Sequence, residues 1–66
     1  MKILLNGEPH ELPASVSVTA LLGQLAIDPR TVAVECNRLV VKRERYPDTM
    51  VEEGAEVEIV AFVGGG

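Results

Sequence analysis

The residues with the clearest chemical potential are the three glycines at positions 64–66, which follow a strand-like apolar segment. Glycine is costly to order and has no Cβ atom, so this segment can reach roughly 10 Å beyond the domain and thread a narrow channel in another protein. As a terminal residue, Gly66 presents a carboxylate that is ionised at neutral pH, because its ordinary pKa is about 3.5. A partner must first convert that carboxylate into a better electrophile, for example an acyl adenylate. Attack by a sulfur nucleophile would then leave a thiocarboxylate on Gly66, with Gly65 and Gly64 supplying reach.

The rest of the chain offers no conventional catalytic constellation. His10 and Cys36 each occur once, and no nucleophile–base pair has a recognisable spacing. Neither a helix nor a Lys-Ser/Thr pair follows the glycines, which excludes a phosphate-binding loop. Cys36 is the rival sulfur site, but it alternates with Val32 and Val34 on an expected core face, where cysteine is a small inert hydrophobe. We therefore expect a carrier or protein substrate, not an enzyme, with no metal or cofactor of its own.

Length and composition describe a small folded domain with an acidic surface. The 66 residues allow one domain, which buries only about 60% of the surface that its unfolded chain exposes. A net charge of -4 disfavours nucleic acid and anionic membranes, and two aromatic residues, Tyr46 and Phe62, are too few for base stacking. No signal peptide or membrane span is recognisable, so we expect a cytoplasmic protein. The basic residues between positions 38 and 45 are expected to form a solvated loop face.

The first third of the chain predicts a hairpin followed by a helix. Residues 2–5 are apolar, and Asn6-Gly7 is the strongest short hairpin signal because both residues tolerate positive φ. The second strand is expected from Glu8 to Leu12, at a sheet edge because it contains Pro9.

The helix is expected over residues 18–25, with Ser17 as its N-cap. Its apolar positions recur at intervals of three and four, which places them on one stripe that a sheet must cover. These positions are Val18, Leu21, Leu22 and Leu25. Asp28-Pro29 is expected to end the helical region.

The second half predicts more strands. They cover residues 32–36, 39–41 and 56–62, with a turn at Asn37-Arg38 and a charged, irregular segment over residues 42–54. A hairpin, one helix and returning strands close a single core when the helix lies across one sheet face. The order therefore predicts an α+β, β-grasp (ubiquitin-like) domain over residues 1–63, with a mixed sheet of about four to five strands, and a flexible tail over residues 64–66. In the β-grasp fold the first and last strands are adjacent and parallel.

These segments resemble the ThiS family, the sulfur carriers of thiamin thiazole biosynthesis within the ThiS/MoaD ubiquitin-like group. The resemblance covers essentially all 66 residues. The stretches that carry it are Ile3-Leu4-Leu5-Asn6-Gly7, Thr19-Ala20-Leu21-Leu22, Val32-Ala33-Val34-Glu35-Cys36-Asn37, Val41-Lys42-Arg43-Glu44 and Val57-Glu58-Ile59-Val60-Ala61-Phe62-Val63-Gly64-Gly65-Gly66. The family motif is a terminal Gly-Gly, which Gly65 and Gly66 match and Gly64 extends.

The resemblance implies a cycle driven by partner proteins. A ThiF-like enzyme would use ATP and magnesium to adenylate Gly66, a sulfur-transfer protein would supply sulfur, and a ThiG-like thiazole synthase would accept it. Two alternatives stay open. One is a molybdopterin-type (MoaD-like) or other-pathway carrier that uses the same tail chemistry. The other is a β-grasp binding module whose glycine tail has no role.

A partner-docking patch is expected beside the tail. In the last strand Val57, Ile59 and Ala61 are expected to face the helix, so that Val60 and Phe62 point outward. Leu4 would join them from the neighbouring strand, and exposed apolar clusters of this kind often mark interaction sites. We expect Leu4, Val60 and Phe62 to receive the activating enzyme. The competing possibility is that the segment 42–50 covers them.

Overall fold

The computed structural model describes residues 1–62, which form a five-stranded mixed sheet, one α-helix and a separate two-stranded sheet. In chain order the elements are β1 (Lys2–Leu5), β2 (Glu8–Glu11), β3 (Val16–Ser17), α1 (Val18–Gln24), β4 (Val32–Cys36), β5 (Leu39–Val41), β6 (Met50–Val51) and β7 (Glu56–Ala61). Two short 3₁₀ helices lie at Pro29–Thr31 and Arg43–Arg45. The larger sheet has the strand order β2-β1-β7-β4-β5. This arrangement confirms the predicted α+β, β-grasp fold.

The last strand occupies the centre of the sheet. β7 pairs in parallel with β1, where Leu5 lies opposite Val57, and antiparallel with β4, where Val34 lies opposite Ile59. Strand β2 lies at one edge, as its proline predicted. The parallel adjacency of first and last strands is therefore confirmed. As a result, β7 ends at Ala61 between two neighbouring strands of the sheet.

Both predicted hairpin turns are confirmed by their backbone angles. Asn6 and Gly7 have φ values of 52° and 82°, and Asn37 and Arg38 have values of 54° and 70°. Positive φ at both central residues is the signature of a type I′ turn, whose twist matches that of the flanking strands. Asparagine tolerates this region well, whereas an arginine there is strained.

Helix α1 begins where the sequence predicted. The Ser17 Oγ accepts a hydrogen bond from the Ala20 amide at 3.0 Å, as expected of an N-cap. The helix ends at Gln24, one residue earlier than predicted, and Ala26 follows with a φ of 58°. Asp28 does not end the helix; it caps the following 3₁₀ turn.

The core lies between the helix and one face of the sheet. The helix contributes Val18, Leu21 and Leu22, each completely buried, while Leu25 is half-buried. The sheet and the segments around it contribute Ile3, Leu12, Val32, Val34, Tyr46, Val51, Ala55 and Val57. Among the described residues, no helix is long and apolar enough to cross a membrane.

The prediction that residues 42–54 are irregular was wrong for Met50 and Val51, and the segment also contributes a buried side chain to the core. Met50 and Val51 form β6, which pairs antiparallel with β3. Tyr46 is buried at 3% exposure, and its hydroxyl donates to the Val32 carbonyl at 3.3 Å. The Tyr46 carbonyl also accepts the Thr19 amide at the start of the helix. These contacts join segments that are distant in the chain, so local sequence patterns could not predict them. The charged residues on either side of Tyr46 instead indicated an exposed loop.

Candidate functional site

The base of the tail is held by the sheet. Strand β7 ends at Ala61, yet the Phe62 amide still donates to the Thr31 carbonyl at 2.9 Å, which continues the pairing with β4 by one residue. The predicted site residue Gly66 and the reach residues Gly65 and Gly64 lie outside the described residues, as does the boundary predicted at residue 63. Their chemistry therefore stays a prediction. The described residues show where β7 ends and how Phe62 is held beside β4.

Two asparagine side chains secure β7 from opposite sides. The Asn6 carboxamide accepts from the Ile59 amide at 2.7 Å and donates to the Ile59 carbonyl at 3.3 Å. The Asn37 carboxamide accepts from the Glu56 amide at 3.0 Å, at the other end of the strand. The sequence marked both asparagines as turn residues, but it carried no signal for these side-chain contacts. They are positioning residues for the strand that leads to the tail.

The predicted docking patch is exposed, although it is not one cluster. Leu4, Val60 and Phe62 are 40%, 60% and 56% exposed, so the segment 42–50 does not bury them. Leu4 lies opposite Glu56, however, which is four residues before Val60 on β7. At about 3.3 Å per residue, Leu4 is therefore about 13 Å from Val60 along the sheet. Val60 and Phe62 form one apolar area next to the tail, and Leu4 is a separate one.

Three glutamates lie between these two apolar areas. Glu56 and Glu58 occupy alternate positions of β7, and Glu35 on β4 lies directly opposite Glu58. Together with Arg38 and Val60 they line a shallow depression of about 360 Å³. This arrangement could not be predicted from the sequence, because the glutamates of β4 and β7 are far apart in the chain.

A groove lies on the helix side of the same sheet end. It has a volume of about 530 Å³ and runs between the end of α1 and the end of β7. Its apolar lining includes Leu25, Ile27, Ile59 and Ala61. Ala61 lies on the helix side of the sheet, as expected, but it is exposed and not part of the core.

One ion pair borders this groove. The Arg30 guanidinium donates two hydrogen bonds to the Asp28 carboxylate, at 2.8 and 3.1 Å. The side chain and the amide of Arg30 together lower the pKa of Asp28 to about 2. The Asp28 carboxylate already accepts hydrogen bonds from Arg30, so we assign it a structural role in the 3₁₀ turn.

The remaining candidate side chains have local roles. Cys36 is half-buried against the core, and burial raises the pKa of its thiol, which favours the unreactive protonated form. His10 is half-buried in the edge strand opposite Ile3. Arg38 lies 3.6 Å from Glu56, and Arg43 donates to a backbone carbonyl. Within residues 1–62 no set of three His, Cys, Asp or Glu side chains forms a metal-binding group.

Comparisons with known proteins agree with the fold. The family model described as "ThiS family" matches residues 3–66. The crystal structure of the thiamine biosynthesis protein ThiS from Geobacter metallireducens superposes with a TM-score of 0.88, at 38% identity and with 100% of both chains covered.

Among curated proteins, a thiazole synthase from Paramagnetospirillum magneticum is 48% identical over the whole chain, and one from Magnetococcus marinus is 46% identical. The chain spans about one fifth of the length of these two relatives, since 20% of each is covered. The family model and the solved structure both extend over nearly all of this sequence. The chain belongs to the ThiS family.

Proposed function

We propose that this protein is a sulfur carrier for the formation of the thiazole moiety of thiamin. The observation that carries the proposal is its membership of the ThiS family, with a match that continues through the glycines to residue 66. The geometry at the tail base supports it. A strand at the centre of the sheet, paired on both sides, gives a partner enzyme a rigid reference from which to receive the three glycines.

The chemistry is assigned to the carboxylate of Gly66, as the terminal residue of the carrier. One carboxylate oxygen attacks the α-phosphorus of ATP, and pyrophosphate leaves. Hydrosulfide then attacks the acyl carbon and AMP leaves, which yields the thiocarboxylate directly. If the donor is a persulfide of the sulfur-transfer protein, its outer sulfur attacks instead and forms an acyl disulfide, and a thiol of that protein reduces the S–S bond and leaves as a disulfide. The ATP and magnesium belong to the activating partner, and no residue of this chain acts as a catalyst. Gly65 and Gly64 provide a slim segment that enters the active site of the partner.

Three partners follow from this proposal: a ThiF-like adenylating enzyme, a sulfur-transfer protein and a ThiG-like thiazole synthase. Support for the last comes from the relatives that carry the name thiazole synthase, which contain a segment similar to this chain. The exposed side chains of Val60, Phe62 and Leu4 are the contacts that we assign to the activating enzyme. Val60 and Phe62 lie next to the tail, so contact there also positions the glycines.

Intact-mass measurement tests the proposal directly. The chain is incubated with a ThiF-like enzyme, ATP, magnesium and a sulfur donor, and the expected result is replacement of one oxygen by sulfur at Gly66. A variant with one alanine added after Gly66 is the matched control, and it should fold normally but gain no sulfur. Repeated absence of the exchange, with an enzyme that activates another carrier in the same assay, would favour a binding module without carrier chemistry. Exchange followed by sulfur delivery to a molybdopterin precursor instead of a thiazole synthase would reassign the pathway.

A further inference from the structure

The sheet face that points away from the helix has no covering element among the described residues. Its apolar members include Leu4 at one end and Val60 at the other, 40% and 60% exposed, and Val40 of β5, which lies opposite Glu35 and is 72% exposed. Between them lies the depression lined by Glu35, Glu56 and Glu58. This face is therefore not a plain apolar patch, since negative charge separates its two apolar ends.

The charges in the depression are unfavourable for the isolated domain. Glu35 and Glu58 lie directly opposite each other on antiparallel strands, and like charges in such a pair destabilise a sheet. Glu56 adds a third negative charge two residues along β7. The cation that the structure places nearby is Arg38, 3.6 Å from Glu56. The Arg38 side chain is 87% exposed, so solvent screens this pair and leaves little compensation for Glu35 and Glu58.

We propose that the depression formed by Glu35, Glu56 and Glu58 receives a cationic side chain, preferably arginine, of the ThiF-like adenylating enzyme when that enzyme docks on this face. This inference rests on the proposed function and specifies the chemistry of its docking surface. The planar guanidinium of an arginine can bind two carboxylates at once, and its aliphatic stem can pack against Val60. The partner surface then presents a cation between two apolar contacts, one for Val60 and one for Leu4.

Other occupants fit this face less well. A second copy stacked on the same face would bring two sets of glutamates together, and like charges across an interface oppose association. A metal ion would compensate the carboxylates but would leave the exposed side chains of Leu4 and Val60 uncovered. A basic protein surface satisfies both the charge and the two apolar ends.

The test compares Glu58→Gln with Glu44→Gln, which removes an exposed charge in the 3₁₀ helix Arg43–Arg45, outside this face. Binding of the ThiF-like adenylating enzyme is measured by calorimetry at low and high salt, and chain stability by urea unfolding. For Glu58→Gln we expect about tenfold weaker binding with a smaller salt dependence, and a urea midpoint that is unchanged or higher. Glu58→Asp, which retains the charge, should recover most of the affinity.

These opposite effects separate docking from a structural role. Weaker binding that accompanies a lower urea midpoint, or equal losses in Glu58→Gln and Glu44→Gln, would overturn the inference. Unchanged binding of Glu58→Gln, with a wild-type chain that the enzyme binds and adenylates, would also overturn the inference. That result would leave the proposed function intact. A wild-type chain that an active enzyme neither binds nor adenylates would overturn both.

Discussion

The carboxamide of Asn6 pairs with both backbone polar groups of Ile59, accepting from the amide at 2.7 Å and donating to the carbonyl at 3.3 Å. In the parallel ladder the Leu4 and Asn6 amides donate to the Ala55 and Val57 carbonyls. The Asn6 side chain thus takes the next place in that ladder, after the backbone of β1 has turned away. One residue both forms the hairpin turn and extends the pairing of the strand that leads to the tail.

Asn6→Gly should therefore lower the free energy of unfolding by about 1 kcal/mol, since glycine keeps the positive φ but removes both side-chain hydrogen bonds. The amide of Ile59 should also lose protection from hydrogen exchange, as measured by NMR. Asn37→Gly is the matched control, because it removes the corresponding contact at Glu56 and should leave protection at Ile59 unchanged. Equal protection of Ile59 in wild type and Asn6→Gly would contradict this role.

Tyr46 should be the most sensitive residue of the segment 42–54. Tyr46→Phe removes the hydrogen bond to the Val32 carbonyl and should cost about 1 kcal/mol of unfolding free energy. Tyr46→Ala also removes the buried ring and should cost about 3–5 kcal/mol, enough to unfold much of so small a domain. Urea unfolding followed by circular dichroism measures both. Similar stability for Tyr46→Ala and wild type would show that this ring does not support the core.

The Asp28–Arg30 pair should give the stability a dependence on acid pH. Its carboxyl has a pKa of about 2 in the folded chain, against 3.8 ordinarily, chiefly because it accepts hydrogen bonds from Arg30. The unfolded chain therefore takes up this proton first, and the stabilisation is complete above about pH 4 and is lost as the pH falls through 2.

Asp28→Asn should remove this part of the pH dependence while leaving a side-chain oxygen to cap the turn. Urea unfolding at a series of pH values compares the two chains, and NMR titration of the carboxyl carbon in wild type measures its pKa. A midpoint near 3.8 would show that Arg30 does not hold the carboxylate in solution.

Cys36 should be a poor nucleophile in the folded chain. Burial raises the pKa of its thiol, so iodoacetamide at pH 8 should alkylate the folded chain about tenfold more slowly than the urea-unfolded chain. Cys36→Ala should still gain sulfur at Gly66 in the intact-mass assay. Equal alkylation rates, or loss of sulfur transfer in a folded Cys36→Ala chain, would contradict this prediction and support a functional role for the thiol.

Phe62→Asp should weaken adenylation by the activating enzyme without unfolding the domain. The Phe62 side chain is 56% exposed, so its replacement removes contact area for a partner and little of the core. We expect about a tenfold loss of affinity, with a urea midpoint close to that of wild type. Met50→Asp is a matched control at another exposed apolar residue, 48% exposed and located in β6. Unchanged affinity in a stable Phe62→Asp chain would exclude this residue from the docking patch.

Local signals in the sequence were sufficient for most of the elements. Asn-Gly predicted one hairpin, Ser17 predicted the start of the helix, and the apolar stripe predicted its buried face. These signals failed where contacts between distant segments decide the local structure or burial, as they do for Tyr46 and strand β6. For the site, the exposure of Leu4 and Val60 was predicted correctly, but their separation depends on strand register, which pairs residues more than fifty positions apart.

By itself, the sequence determined the family, the order of elements and the position of the glycines after an apolar strand, because turn, cap and periodicity signals act over a few residues. The tertiary structure alone decided which side chains meet across strands. It placed Glu35 opposite Glu58, brought the Asn6 carboxamide to Ile59, and put β7 at the centre of the sheet. Register and strand order are set by burial of the whole apolar face at once, and no local segment contains that information.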